Sequence, residues 1–436
     1  MTDREEPADA RRPHDEVASR RAIRAYVGIG GLFTLGASLI WAINTVFVIR
    51  VGGLDLFGAM LVNTSYTVSQ MVFEVPTGVI ADTLGRRISI LLSFVIIMLS
   101  TVLYVLTPML GWGIMGFFGA SILLGLGYTF QTGAIDAWIV DALDFTGWEL
   151  PKDRVFAWGQ TSIAVGMMVG SLAGGLLGQV DLRLPYAVRT VVLAICFVAA
   201  LAVVRDVGFT PRPLKLSSFG TETRTVFDAG VAFGWRSRVI RPVLWASAIS
   251  GLFFMYGFYA WQPYVLALLG RDSVWLLGVV QAASSAAGIA GNAIVSRATK
   301  KRPELAGNPK VLYAMGVVSA VAIAAIGAVG IVWRSTGIAP AAAAIGLWLV
   351  WGVGFGIVTP IRMSYLNRHI PSSQRATVLS LDAFFADGGA AAGQPFFGWL
   401  SKQVSISIAW LVGSVVLLVA APFYSVSGKA ADAVDE

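Results

Sequence analysis

Several ionisable side chains of this 436-residue chain stand inside stretches that are otherwise apolar. Glu74, Asp136, Arg362, Asp382 and Asp387 are the ones whose position calls for chemistry. A lone charge at the centre of a hydrocarbon layer costs roughly 2.5–3.5 kcal/mol on insertion scales, so each must be protonated, paired or wet. Such a group can carry a proton, hold a counter-ion or meet a polar solute. Asp387 is the first candidate for proton carrier, with a structural ion pair as the alternative, and Arg362 can serve as partner to Asp382 or Asp387. Glu74 ends a polar stripe of Asn63, Thr67, Gln70 and Glu74 at i, i+4, i+7 and i+11. On one helix face that stripe meets a water-filled cavity or a partner helix. Its carboxyl either takes up a proton when buried or is a hydrogen-bonded structural acid.

Polar and aromatic residues suggest cavity walls around these charges. Trp41 and Asn44 share a face, as do Tyr256, Tyr259 and Gln262; Gln131, Trp348 and Trp351 lie on two further apolar stretches. Rings accompanied by a few acids suit an amphipathic or cationic organic molecule, through stacking and cation–π contact. Lipid-facing or packing aromatics are the plainer alternative. No G-x-x-x-x-G-K-[ST] phosphate cradle is present, His14 and His369 have no metal-ligand spacing, and Cys196 has no partner for a disulfide. Neither a metal nor a cofactor is expected, and no serine or cysteine has a catalytic context.

The elements that must position these residues follow from composition. Hydrophobic residues make up 56% of the chain and charged ones 13%, about half the charged share of a soluble domain. Apolar runs near 27–49, 56–80, 88–108, 112–138, 156–180, 187–205, 243–269, 274–297, 311–333, 339–366, 376–400 and 405–426 can each cross a layer about 30 Å thick. The expected fold is an all-α membrane protein with twelve transmembrane helices. All but six of the 32 basic residues fall on the side of both termini, which places that side in the cytoplasm. The exceptions are Arg50, Arg183, Arg189, Arg271, Arg334 and Lys402. Topology thus explains the net charge of +7, and no nucleic-acid partner is needed.

The expected organisation is a cytoplasmic tail over 1–25, a six-helix bundle over 26–206, a linker over 207–240, a second six-helix bundle over 241–426, and a cytoplasmic tail over 427–436. The linker contains VFDAGVAFGWRSRVI, a candidate amphipathic surface helix. The halves echo each other: residues 125–141 align without gaps on 352–368, so Gly125, Gly127 and Thr132 meet Gly352, Gly354 and Thr359. Parallel repeats of this kind mark secondary transporters, whose substrate site lies mid-membrane between the halves.

The stretch GVIADTLGRR, residues 78–87, resembles the loop 2–3 signature of the major facilitator superfamily at every defining position, and the 6+6 organisation extends the resemblance over essentially the whole chain. The resemblance implies a cytoplasmic latch built from Gly78, Asp82, Gly85, Arg86, Arg87 and Asp141, with Asp82 facing the start of span 11 and Arg86 pairing with Asp141. In span 5, GMMVGSLAGG is similar to the motif of drug:proton antiporters, with Ser171 in place of its proline; Gly166, Gly170, Gly174 and Gly175 form a smooth packing face. Span 4 departs from that subgroup, since Ser121 stands where many members carry arginine. What is implied is alternating-access transport: proton-coupled efflux of an amphipathic or drug-like molecule by a monomer, multi-pass in a bacterial plasma membrane and in contact with its lipid. A uniporter or importer of a small nutrient and a lipid translocator are the alternatives; a membrane enzyme or sensor finds no support in the residues.

Overall fold

Hydrocarbon offers backbone amides no partners, so an apolar run that crosses it closes its own hydrogen bonds as a helix. The computed structural model describes residues 15–209, 234–333 and 335–435, and the described residues form helices and no strand. Span 1 is α1 (Glu16–Ser38) with α2 (Asn44–Arg50), and span 2 is α3 (Leu56–Leu84). Then come α4 (Arg86–Met109), α5 (Gly113–Gln131) with α6 (Ala134–Phe145), α7 (Asp153–Val180) and α8 (Leu184–Val203). The second half comprises α9 (Ile240–Leu269), α10 (Val274–Lys301), α11 (Pro309–Val332), α12 (Ile338–His369), α13 (Arg375–Gln403), and α14 (Ile406–Ala420) with α15 (Pro422–Asp435).

Among the described residues, nine helical stretches are long and apolar enough to cross a membrane on their own. The other three expected spans are the first, broken at residues 39–43, and α3 and α13, which carry the polar stripe and the acids Asp382 and Asp387. These last two helices pack on each other across the seam between the halves, where polar side chains can meet partners instead of lipid. Gln394 on α13 donates to Thr67 on α3 at 3.0 Å within that seam.

Three stretches differ from expectation. The first helix starts at Glu16, because the Asp15 side chain accepts the Ala18 N–H at 3.0 Å and Ser19 donates to the Thr146 hydroxyl at 2.8 Å. A capped and docked turn therefore replaces a tail over residues 15–25. At the other terminus α15 runs on to Asp435, and buried Ser427 donates to the Val239 carbonyl at 2.6 Å, so that stretch is packed helix. Span 4 breaks at Thr132–Gly133, where Gly133 has φ +74°. Its repeat counterpart is Pro360, inside an unbroken α12. Most of the amphipathic stretch anticipated in the linker lies outside the described residues.

The apolar cores show how the halves meet. At the end opposite the basic loops, one core runs through both bundles and joins Phe47, Met60 and Tyr186 to Phe253, Trp261 and Trp348. At the basic end there are two cores, one around Phe33, Phe94 and Trp138, the other around Leu244, Ile361 and Leu381. The bundles are thus closed against each other at the opposite end and parted at the basic end.

Candidate functional site

Clamp residues at the basic end come from three elements of the first bundle. Gly85 turns the chain between α3 and α4 at φ +110°, and an added Cβ there would lie 2.2 Å from Asp206 Oδ2. Arg86 then reaches Asp82 at 2.5 Å and Asp141 of α6 at 3.7 Å. Its guanidinium also lies 5.8 Å from the Phe209 ring centroid. Arg87 donates its backbone N–H to Asp206 at 2.8 Å and its side chain to the Leu201 carbonyl at 3.0 Å. The pairing of Arg86 with Asp141 is as the loop signature implies. The facing of Asp82 onto span 11 is not found: Asp82 is occupied by Arg86, and no described residue of α13 pairs with it. Gly78 is exposed, with nothing near the position of a Cβ. The reason is geometric, since the basic ends of the bundles stand apart. Asp206, which anchors the start of α4, was not anticipated; its only signal was a carboxylate directly after span 6.

Two carboxylates lie on opposite bundles along the parted seam. Glu74 on α3 is exposed and accepts from the Thr132 hydroxyl at 3.4 Å, beside the break in span 4. Asp387 on α13 is half-buried, interacts electrostatically with Glu74, and has no hydrogen bond or cation among the described residues. Asp136, in the first turn of α6, is exposed and accepts from Tyr26 at 2.8 Å. Asp382 is different: it is buried, paired with Arg362 of α12, and accepts from Ser247 of α9 at 2.6 Å. Arg362 therefore joins Asp382 and not Asp387.

The expected cavity residues divide into two groups. Asn44 and Asn63 are buried together, with the Asn44 amide donating to Asn63 at 3.3 Å and Tyr186 donating to Asn44 at 2.9 Å. Tyr259 is half-buried, within electrostatic reach of Tyr104 and Tyr128 of the other bundle. Gln70 and Gln131 are half-buried with no hydrogen bond to a described residue. Trp351 stacks on Trp348 at 4.7 Å and on Phe355. Two residues instead do structural work in this arrangement. Tyr256 is fully buried in the second bundle against Phe253 and Phe397, bonded to Ser401 at 2.6 Å. Gln262 is a clasp between bundles: it donates to the Trp41 carbonyl at 2.8 Å and accepts from Thr45 N–H at 3.1 Å.

Charge and small residues finish the closed end. Arg50 meets Asp272 at 2.6 Å and Lys402 meets Asp55 at 2.7 Å, both across the seam. The Lys402 ammonium and the Gly58 N–H hold the Asp55 carboxyl below the usual carboxylate range. Gly166, Gly170 and Gly174 lay the α7 backbone against α1: a Cβ at each would fall 2.3, 2.3 and 1.9 Å from the carbonyls of Gly31, Leu35 and Leu39. Gly175 faces the second bundle, where its Cβ would come within 2.7 Å of Gly278 Cα on α10. Arg189 corrects the topology count. It was assigned to the outer side, yet it is a buried residue of α8 inside the first bundle.

Comparison with known proteins bears on this arrangement. The family model of the Major Facilitator Superfamily matches residues 26–393. An uncharacterized MFS-type transporter, YxaM of Bacillus subtilis (strain 168), is 23% identical over 384 residues, covering 87% of this chain and 88% of that protein. Multidrug resistance protein 2 of the same organism is 24% identical over 200 residues, 45% of this chain and 46% of that protein. The crystal structure of the nucleoside transporter NupG superposes with a TM-score of 0.75 at 11% identity, over 94% of this chain and 99% of that one.

Proposed function

Because the chain belongs to the Major Facilitator Superfamily, a family of membrane transporters and not of enzymes, we propose that it exports an amphipathic, drug-like molecule in exchange for protons. The observation that carries this reading is that Glu74 and Asp387, on opposite bundles and within electrostatic reach, have no cation paired to either among the described residues. Two such carboxylates repel, and protonating one relieves the other. When the bundles rock, the spacing and hydration of a pair at their seam change, so proton uptake is tied to the direction the cavity faces. The basic end is taken as cytoplasmic, from the distribution of lysine and arginine, so the arrangement described is open to the cytoplasm in a plasma membrane with both termini inside.

The aromatic walls and the partial likeness to a multidrug resistance protein support an amphipathic cargo. The test is proton flux in proteoliposomes that enclose a pH-sensitive dye, with cationic, neutral and anionic amphipaths added under an imposed pH gradient. Substrate-triggered proton movement is expected, and Asp387→Asn or Glu74→Gln should abolish it in folded protein. Uptake of a solute down its own gradient with no proton movement in wild type would replace this reading with a uniporter.

A further inference from the structure

Two of the arginines on the described helices, Arg86 and Arg362, are neutralised by carboxylates of their own bundle. Arg86 has Asp82 and Asp141, and Arg362 has Asp382. Arg189 has no carboxylate. It is 1% exposed, its Nε has no hydrogen-bond partner, and its one hydrogen bond is a long 3.4 Å contact to the Tyr128 hydroxyl. Leaving a buried cation unpaired costs several kcal/mol, so a fold that retains one at such a place has a use for it.

The neighbours of Arg189 are tyrosines drawn from four helices of its bundle. Tyr128 of α5 accepts from it, Tyr66 of α3 packs its ring on Tyr128, and Tyr104 of α4 and Tyr186 of α8, stacked on each other, lie within its electrostatic reach. Tyr259 of α9, in the second bundle, lies within electrostatic reach of Tyr104 and Tyr128, which puts the tyrosines near the seam. Hydrogen bonding here runs in one direction. Tyr186 donates to Asn44, Asn44 donates to Asn63, and the buried Asn63 amide nitrogen is left with nothing to donate to. The Tyr104 hydroxyl is held by Ser121 at 2.5 Å. What remains unspent around Arg189 is a buried cation with no carboxylate paired to it among the described residues.

We infer that Arg189, with the tyrosine rings beside it, binds the anionic head of the transported molecule, so that the cargo is an aromatic organic anion such as a carboxylate. This rests on the transporter reading and narrows its substrate class. The guanidinium fork matches a carboxylate, and the rings of Tyr66 and Tyr128, edge to face at 6.0 Å, offer an apolar wall to an aromatic body.

The probe is naphthoate against its primary amide naphthamide and against naphthylmethylammonium, followed by further aromatic acids each paired with its own amide. Binding is measured on the full chain in uncharged phosphatidylcholine nanodiscs, and exchange in proteoliposomes by counterflow. Wild type should bind at least one acid about tenfold or more tightly than its amide, the difference a charge-assisted hydrogen bond supplies. Arg189→Gln should erase that preference, whereas Arg189→Lys should keep part of it. If Arg189→Gln fails to fold, the wild-type comparison and Arg189→Lys still decide. Equal binding of acid and amide throughout the set, no binding of any acid, or a preference that survives Arg189→Gln overturns the inference. Exchange of the amide or ammonium probe without acid preference would sink the anion site and leave the transporter standing. Acid preference without exchange of any probe would do the reverse.

Discussion

The contact between α7 and α10 holds the opposite end shut, and one methyl group at Gly175 tests whether it is the contact that opens. An ideal Cβ there would lie 2.7 Å from the Cα and N of Gly278 and 2.9 Å from the Trp275 carbonyl oxygen. Ordinary carbon–carbon contact needs about 3.5–4.0 Å, so the helices must part by about 1 Å, because backbone atoms cannot swing aside. Overpacking of this kind costs about 1–3 kcal/mol. The strain falls on the closed arrangement alone, since the contact is absent once that end opens. The ratio of closed to open molecules should therefore drop by about 5- to 150-fold. Gly174 is the control, because its Cβ would strike the Leu39 carbonyl at 1.9 Å inside one bundle and strain both arrangements alike. The assay is electron–electron resonance between spin labels at Asp181 and Ile338, on opposite bundles at that end, in a Cys196→Ser background that removes the one native thiol. Gly175→Ala should add a population at longer distance, while Gly174→Ala should lower the melting temperature and leave the distances unmoved. A folded Gly175→Ala protein with the wild-type distribution would refute the reasoning.

Three further outcomes follow from the charges and the turn. Asp382→Asn or Arg362→Met alone should cost about 3–5 kcal/mol of stability by stranding a buried partner, and Arg362→Met with Asp382→Leu should recover most of it, read by thermal melts in detergent. The folded-state pKa of Asp55 is lowered from its ordinary 3.8, so its stabilising contribution is complete above that value and is lost as pH falls through the lowered one. The melting temperature of wild type should accordingly fall more steeply than that of Asp55→Asn as pH drops below about 4. Gly85→Ala meets both a left-handed φ and the Asp206 carboxylate, so it should cost at least about 1–2 kcal/mol and loosen the clamp, seen as faster amide exchange at the start of α4.

Hydropathy made the spans legible, because length and apolarity are local properties that a bilayer enforces. The Arg86–Asp141 pair was also legible, through the resemblance of GVIADTLGRR to the family's loop signature, which implies an acid ending span 4 as the partner of that arginine. Arg189 was not: three residues into a span, it reads like a charge of the outer loop, and only packing shows it buried among tyrosines. Tyr256, Tyr259 and Gln262 share a helical face in sequence, yet one enters a core, one joins a tyrosine cluster and one clasps the other bundle. Periodicity gives the face of a helix and not its neighbour. The partner of Asp82 depends on which end is closed, and a single sequence does not state that.

The two kinds of charge in the fold separate scaffold from machinery. A pair held within one bundle, such as Arg362 with Asp382 or Arg86 with Asp141, travels with its bundle and keeps its partner as the halves rock. Its energy changes little between arrangements, so it contributes little to coupling. Glu74 and Asp387 sit on different bundles, and Arg189 lies beside tyrosines near the seam, so their surroundings must change with every stroke. A ligand or proton shifts an equilibrium only by the difference in its affinity for the two states. That difference is available where the charge is unbalanced and the walls move, which supports the proposed proton exchange at Glu74 and Asp387 and the proposed cargo recognition at Arg189, with the more deeply buried, paired Asp382 as structure.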